Sequence, residues 1–190
     1  MAASAPRILT YADYLEAEHR SESKHEWHAG VIVAMSGGTI EHARLGSAMQ
    51  LLLGKALAGR PCVVLSPDAR VRIVAADRSH YADALVVCTR IEHAPDDADA
   101  VTNPVVIAEV LSPRTEGYDR GEKARNYRLL PSLREYVLVS SGEPLVEVWE
   151  PDGRTWRTRE YIAGEVVELR SLGIALSVDE LYRDPLAAPQ

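Results

Sequence analysis

Pro104-Val105-Val106-Ile107-Ala108-Glu109-Val110-Leu111-Ser112-Pro113 is a nearly unbroken apolar run with a single carboxylate set inside it. Such a run implies a strand covered on both faces, because a half-solvated strand would alternate apolar and polar residues. An uncompensated charge at Glu109 would be strongly destabilising there, or its pKa would shift until it was neutral. Upstream, Tyr81 to Cys88 reads as another strand, and Asp83 lies within its Ala82-Asp83-Ala84-Leu85-Val86-Val87 segment. If the two strands are neighbours, carboxylates about 4 Å apart would repel by roughly 4 kcal/mol at an effective dielectric near 20. Two explanations stand side by side. A shared cation such as Mg²⁺, held by two or three oxygens with water completing its shell, removes the penalty; alternatively each acid lies near a strand end, caps a turn or pairs with an arginine.

Immediately downstream, Arg114 to Arg134 holds Arg114, Arg120, Lys123, Arg125, Arg128 and Arg134 against Glu116, Asp119 and Glu122, a basic segment in a chain of net charge -7. Asp119 to Leu130 has helical composition and Pro131 ends it. Lys123 and Tyr127 are four apart and share a face, with Arg120 one turn before Lys123. A basic helix beside paired acids suits a phosphodiester, and a lysine there would stabilise charge building on phosphate. A solvated face with internal ion pairs accounts for the same composition.

Around this centre the pattern is mixed α+β. Thr10 and Asp13 have capping-box spacing ahead of a helix from Tyr11 to about His19. Glu26 to Met35 alternates around Gly30 as a hairpin, and Ser36-Gly37-Gly38-Thr39 breaks the second strand. Thr39 then caps a helix over Glu41 to Leu57 whose Leu45, Met49, Leu52, Leu53, Ala56 and Leu57 form one apolar face. Cys62 to Leu65 and Ala69 to Val74 read as strands. The acidic Arg90 to Asn103 stretch reads as a solvated loop or short helix. Arg134 to Val139, Leu145 to Glu150 and Thr155 to Ile162 are successive antiparallel strands, with Ser141-Gly142 and Asp152-Gly153 as turns. Val166 to Leu169 and Ile174 to Leu176 complete the sheet edge, and Val178 to Tyr182 forms a terminal helical turn.

The 190 residues are 46% hydrophobic and 26% charged, which fits one ordinary globular domain over 1–190. No apolar run reaches the roughly 18 to 20 residues of a membrane span, and Met1 to Arg7 lacks the charge and hydropathy of a leader, so no membrane partner and a cytoplasmic location are expected. Cys62 and Cys88 are too few for a disulfide framework or a four-cysteine zinc site and read as buried thiols. The acidic balance argues against coating nucleic acid by bulk charge, although local patches still bind phosphates.

Glu26 and Gly30 in the hairpin, Gly37-Gly38 before a helix carrying His42, Tyr81-Ala82-Asp83, Glu109-Val110-Leu111-Ser112-Pro113, Tyr118-Asp119-Arg120-Gly121-Glu122-Lys123 and Tyr136-Val137-Leu138-Val139 together resemble the Uma family of restriction endonuclease-like proteins, within the PD-(D/E)XK nuclease superfamily. The resemblance spans roughly Leu9 to Tyr182, and its most specific part is the ordered run from Glu109 through Lys123. It implies an α+β, restriction-endonuclease-like core of helix, three strands, helix and strand over about 39–140. An N-terminal helix and hairpin (9–36) and C-terminal antiparallel strands (144–182) would flank that core. Asp83 and Glu109 would then be metal ligands on the second and third core strands, the Val110 carbonyl a further ligand, and Lys123 the catalytic lysine. Mg²⁺ or Mn²⁺ is the implied cofactor and DNA the implied partner. A homodimer is also expected, because the C-terminal strands can self-pair and many nucleases cut two strands as dimers.

Two positions depart from the superfamily pattern. Ala82 replaces the proline before the aspartate, which alters backbone restriction but no ligand. Leu111 stands where a lysine is expected two residues after the glutamate, so catalysis falls to Lys123 from a different backbone origin. That departure motivates a rival reading: a catalytically inactive nucleic-acid- or protein-binding module on a nuclease fold. A metal hydrolase of a small phosphoester is a third.

Glu26, Glu41, His42 and Arg120 are accessory candidates. Thr39 to His42 forms a glycine-preceded helix N-terminus suited to an anion or the scissile phosphate, with simple capping as the alternative. His25-Glu26-Trp27-His28 resembles the zincin motif, but its histidines are three apart in a strand, which excludes a zinc-protease helix. His80 reads as an exposed strand-end histidine. A Walker lysine, a GxGxxG loop and a nucleophile-elbow serine are all absent from the sequence, which removes support for nucleotide-cofactor chemistry and serine hydrolysis.

Overall fold

The computed structural model describes residues 8–35 and 37–186, so Met1 to Arg7 and Ser36, to which sequence expectations attach, lie outside the described residues. Helix α1 (Tyr11–Arg20) starts at the expected capping box: Thr10 accepts from the Asp13 backbone and the Asp13 carboxylate accepts from the Thr10 N–H. Strands β1 (His25–His28) and β2 (Ile32–Ala34) make the hairpin, turning through Ala29 and Gly30, both at positive φ. Thr39 caps α2 (Ile40–Ala56) by accepting from the His42 N–H, and Leu45, Met49 and Leu53 line its buried face.

Two sheets carry the chain. One has the order β2-β1-β5-β4-β8-β7, with β4 (Arg70–Ile73), β5 (Arg78–Tyr81), β7 (His93–Ala94) and β8 (Asp97–Val101). The other has the order β12-β11-β10-β9-β6-β3, built from β3 (Cys62–Leu65), β6 (Ala84–Cys88), β9 (Val106–Leu111), β10 (Glu135–Ser140), β11 (Leu145–Asp152) and β12 (Thr155–Ile162). β9 and β10 are parallel, joined over the helical segment α3 (Glu116–Tyr118), a π turn (Asp119–Lys123) and α4 (Ala124–Tyr127). Helix α2, strands β3, β6 and β9, the 116–127 helical segment and β10 therefore follow the expected order of helix, three strands, helix and strand.

The unbroken apolar character of β9 has its expected cause. Val106, Ala108 and Val110 pack into the cluster that includes Leu45, Met49 and Leu53 of α2. Ile107 and Leu111 face the opposite cluster, with Ala124, Tyr127 and Tyr136. Glu109 shares the parity of Ile107 and Leu111, so strand alternation points it toward the 116–127 segment.

Several expectations are corrected. Tyr81 to Cys88 is not one strand: the chain leaves the first sheet after Tyr81 and enters the second at Ala84, which puts Asp83 in the crossing between them. Arg90 to Asn103 is not a solvated loop, because it contains β7 and β8, and Asp97 is buried in a two-pronged pair with Arg70 (2.9 Å at both oxygens). The partner arginine lies 27 residues away and cannot be found from local acidity. Val166–Leu169 (β13) and Ile174–Ser177 (β14) form a separate hairpin whose Val167, Leu169 and Leu176 close the α2 cluster, followed by α5 (Val178–Tyr182). Cys62 and Cys88 are not free thiols. The antiparallel register of β3 and β6 sets them directly opposite, with Cα atoms 3.9 Å apart, and they form a disulfide. No helix among the described residues is long and apolar enough to cross a membrane.

Candidate active site

A cleft of about 770 Å³ opens where the two sheets, the α2 N-terminus and the 116–127 segment meet, and Glu26, Asp83, Glu109, Asp119 and Lys123 all line it. The π turn matters here. Its wider coil carries Asp119 and Lys123 inward together, and both are buried.

Lys123 is the centre of the arrangement. Its Nζ lies 2.8 Å from Glu109 Oε1, 3.7 Å from Glu26 Oε1 and 3.7 Å from Asp119 Oδ1, and it donates to the Tyr81 carbonyl at 2.9 Å. Burial alone would push the ammonium pKa down. The carboxylates of Glu109, Glu26 and Asp119 override it, so Lys123 is held above its ordinary value and stays charged. Glu109 is pushed well above the usual carboxylate range by burial, with Asp83 and Asp119 adding repulsion against the pull of Lys123. Tyr127 Oη also donates to Glu109 Oε1 at 3.0 Å. Asp119 is likewise raised by burial. Glu26 goes the other way: burial opposes its ionisation, but Lys123, His28 and His80 outweigh it and hold its pKa low.

Asp83 lines the same cleft with partners of its own. The Val110 N–H donates to its Oδ2 at 2.7 Å, and His42 Nε2 lies 3.3 Å from the same oxygen. Gln50 Nε2 donates to the Asp83 carbonyl at 3.0 Å, anchoring the crossing segment to α2. The Asp83 side chain raises the His42 pKa, principally through their hydrogen bond. Gly38 has a local reason to be glycine: a Cβ there would lie 2.8 Å from His42 Nδ1.

The sequence candidates thus divide. Glu26, His42, Asp83, Glu109, Val110 and Lys123 share the cleft, although they come from β1, α2, the β5–β6 crossing, β9 and the π turn. Glu41 does not line it and pairs with Arg44 on the helix surface. Arg120 also stands apart, held by Glu116 (2.8 Å) and Glu147 (2.5 Å). Arg128 lies over the Trp149 and Trp156 rings. The basic segment is therefore largely spent on internal contacts, and Arg114 is the exposed arginine on the cleft lining. Sequence reasoning missed Asp119, Tyr127 and the pair His28 and His80; the last is fully buried rather than exposed. The i,i+4 spacing of Asp119 and Lys123 was the available signal for Asp119. For His80 there was none, since its burial depends on β1 and β5 pairing across about 50 residues.

The fold and this cleft define the class: an α+β protein with a restriction-endonuclease-like core and a buried carboxylate–lysine site. A solved structure described as a putative nuclease belonging to DUF820, from Anabaena variabilis, superposes with a TM-score of 0.74, covering 92% of this chain and 97% of that one at 18% identity. The model of the Uma2 family, described as "Putative restriction endonuclease", matches residues 11–179, and the chain belongs to that family. Two uncharacterized proteins of Synechocystis sp. are similar nearly end to end. One, slr1290, is 34% identical over 176 residues, covering 92% of each chain. The other, sll1609, is 32% identical over 170 residues, covering 89% of this chain and 96% of the relative.

Proposed function

We propose that the chain is a metal-dependent endonuclease that hydrolyses DNA phosphodiester bonds, with Mg²⁺ or Mn²⁺ held by Asp83 and Glu109 and the Val110 carbonyl as a further ligand. The observation that carries this reading is the convergence of three carboxylates, Glu26, Glu109 and Asp119, on a single buried ammonium, with Asp83 lining the same cleft. Burial raises the Glu109 pKa and the Asp83 and Asp119 charges add repulsion; hard carboxylate oxygens are the donors that suit Mg²⁺, which relieves that repulsion. When bound, the ion supplies Lewis-acid polarisation of the phosphoryl oxygen and lowers the pKa of water.

The remaining roles belong to the side chains. Lys123, fixed by the Tyr81 carbonyl and charged throughout the physiological range, offsets the negative charge that develops on the phosphate. It does from the helical segment what a lysine at position 111 does in the superfamily pattern, leaving Leu111 to the core. His42, at the first turn of α2, and the exposed Arg114 line the same cleft and offer cationic or donor groups to the phosphate backbone. β12, the edge strand of its sheet, is the strand along which a homodimer would pair.

The test is cleavage of supercoiled and linear duplex DNA with Mg²⁺, by the parent and by Glu109→Gln. The expected result is parent cleavage that chelator abolishes and that Glu109→Gln lowers by at least about a hundredfold, roughly 2.7 kcal/mol of barrier. Unchanged cleavage by Glu109→Gln would overturn the assignment. Metal-independent DNA binding without turnover would favour the binding module instead.

A further inference from the structure

Beside the proposed ligands Asp83 and Glu109, three further side chains, one of them the Glu26 that also faces Lys123, converge on one point. In β1, strand alternation turns Glu26 and His28 to the same face, and the antiparallel register Trp27 to Ser79 and His28 to Arg78 brings His80 opposite Glu26. Glu26 Oε2 lies 3.1 Å from His28 Nε2 and 3.2 Å from His80 Nδ1, and the three ligand atoms lie within 4.8 Å of one another. His80 is 0% exposed, yet its Nδ1 makes no hydrogen bond, although Glu26 Oε2 lies 3.2 Å away. A fully buried ring nitrogen without a hydrogen-bond partner is destabilising unless something else engages it.

We propose that Glu26, His28 and His80 form a transition-metal site for a Zn²⁺-class cation, separate from the oxygen-donor site of Asp83 and Glu109. Zinc bonds of about 2.0–2.1 Å at tetrahedral angles put neighbouring ligand atoms roughly 3.3–3.4 Å apart, close to the 3.1 and 3.2 Å separations here. Two imidazoles and one carboxylate are borderline donors that select Zn²⁺, Co²⁺ or Ni²⁺ over Mg²⁺. Glu26 and His28 line the cleft while His80 does not, so the fourth coordination position faces the cavity, as in open three-ligand sites. The surroundings supply the supports such ligands need. Tyr118 stacks on His28, and its hydroxyl, 3.1 Å from Nε2, turns to Glu26 Oε2 at 3.4 Å when the ion takes that nitrogen; the Asn126 amide lies 3.3 Å from His80 Nε2. With Nδ1 on the metal, His80 carries its proton on Nε2, and Asn126 turned about its amide axis accepts it. The second oxygen of Glu26 faces Lys123 at 3.7 Å, so this carboxylate links the two sites.

This site does not depend on the nuclease reading, and its test does not use activity. The full chain is titrated with Co²⁺ in excess Mg²⁺, following visible ligand-field absorption and metal stoichiometry. One equivalent of Co²⁺ in a nitrogen-containing site, displaced by Zn²⁺, is expected. His28→Gln and His80→Gln each weaken it by at least about a hundredfold, more than the loss of an outer-shell partner, whereas Asp83→Asn and Glu109→Gln leave it intact. Because His80 is buried and its variant is open to misfolding, the half-buried His28 is decisive. Absence of Co²⁺ binding by the parent, full retention in a folded His28→Gln, or loss in Glu109→Gln would overturn the proposal.

Discussion

Lys123→Met, studied in chelator, isolates the electrostatics of the cleft from any metal. The ammonium faces Glu109 at 2.8 Å and Glu26 and Asp119 at 3.7 Å each. At an effective dielectric near 20 these contacts are worth about 6 and about 4.5 kcal/mol in raw Coulomb energy. Desolvation of the buried ions takes back most of it, and removing one partner from a buried pair costs about 3–5 kcal/mol. We expect that loss at pH 8. The loss is pH-dependent with a definite sign. Glu109 already has a folded pKa above its ordinary 4.5, and without Lys123 it rises further. The folded state then binds more protons than the unfolded one, so stability is fullest below about pH 4.5 and falls as pH rises toward the folded pKa. The slope approaches about 1.4 kcal/mol per pH unit for one proton. Urea unfolding followed by tryptophan fluorescence at pH 5.5 and pH 8 should show the variant's deficit relative to the parent shrinking at the lower pH. An equal deficit at both pH values, or no deficit at pH 8, would refute the picture of Lys123 as the neutralising ion of the cleft.

Asp97→Asn should cost about 3–5 kcal/mol in urea unfolding, because it strands the buried Arg70 guanidinium; a loss under 1 kcal/mol would contradict the burial of that pair. Reducing the Cys62–Cys88 disulfide, which spans 26 residues, should lower stability by about 3.5 kcal/mol on chain-entropy grounds, measured as the urea midpoint with and without reductant. Arg114→Ala should weaken binding of duplex DNA and reduce its salt slope by roughly one, while Arg120→Ala, already paired with Glu116 and Glu147, should leave the slope unchanged. The reverse outcome would move the nucleic-acid face to the outer side of the helical segment.

What the sequence disclosed and what it hid divide along the range of the interactions. The capping box at Thr10, the Thr39 cap and the apolar stripe of α2 are local signals, and each reappears within a residue or two of its expected place. The continuous run of β9 correctly required cover on both faces, and a carboxylate inside it required a partner, which is Lys123. The hidden features all depend on pairings between distant segments. Asp97 looked solvated because its arginine is on β4; the cysteines looked free because only the β3–β6 register sets them opposite. The basic helix looked available because Glu147, Trp149 and Trp156, which occupy its arginines, lie on the β11–β12 hairpin. The break at Ala82-Asp83 was hidden differently: apolar composition gives no sign that a chain changes sheets.

Calorimetric titration of the full chain with Mg²⁺, beside Asp83→Ala and Glu109→Ala variants shown to be folded, tests the carboxylate site without assuming a substrate. Imidazole-containing sites contribute little to Mg²⁺ binding, so the signal reports the oxygen donors. Binding by the parent that both variants lose is the result expected from Asp83 and Glu109 acting as a shared ligand pair. Binding that survives both substitutions, or no binding by the parent at millimolar Mg²⁺, would contradict it.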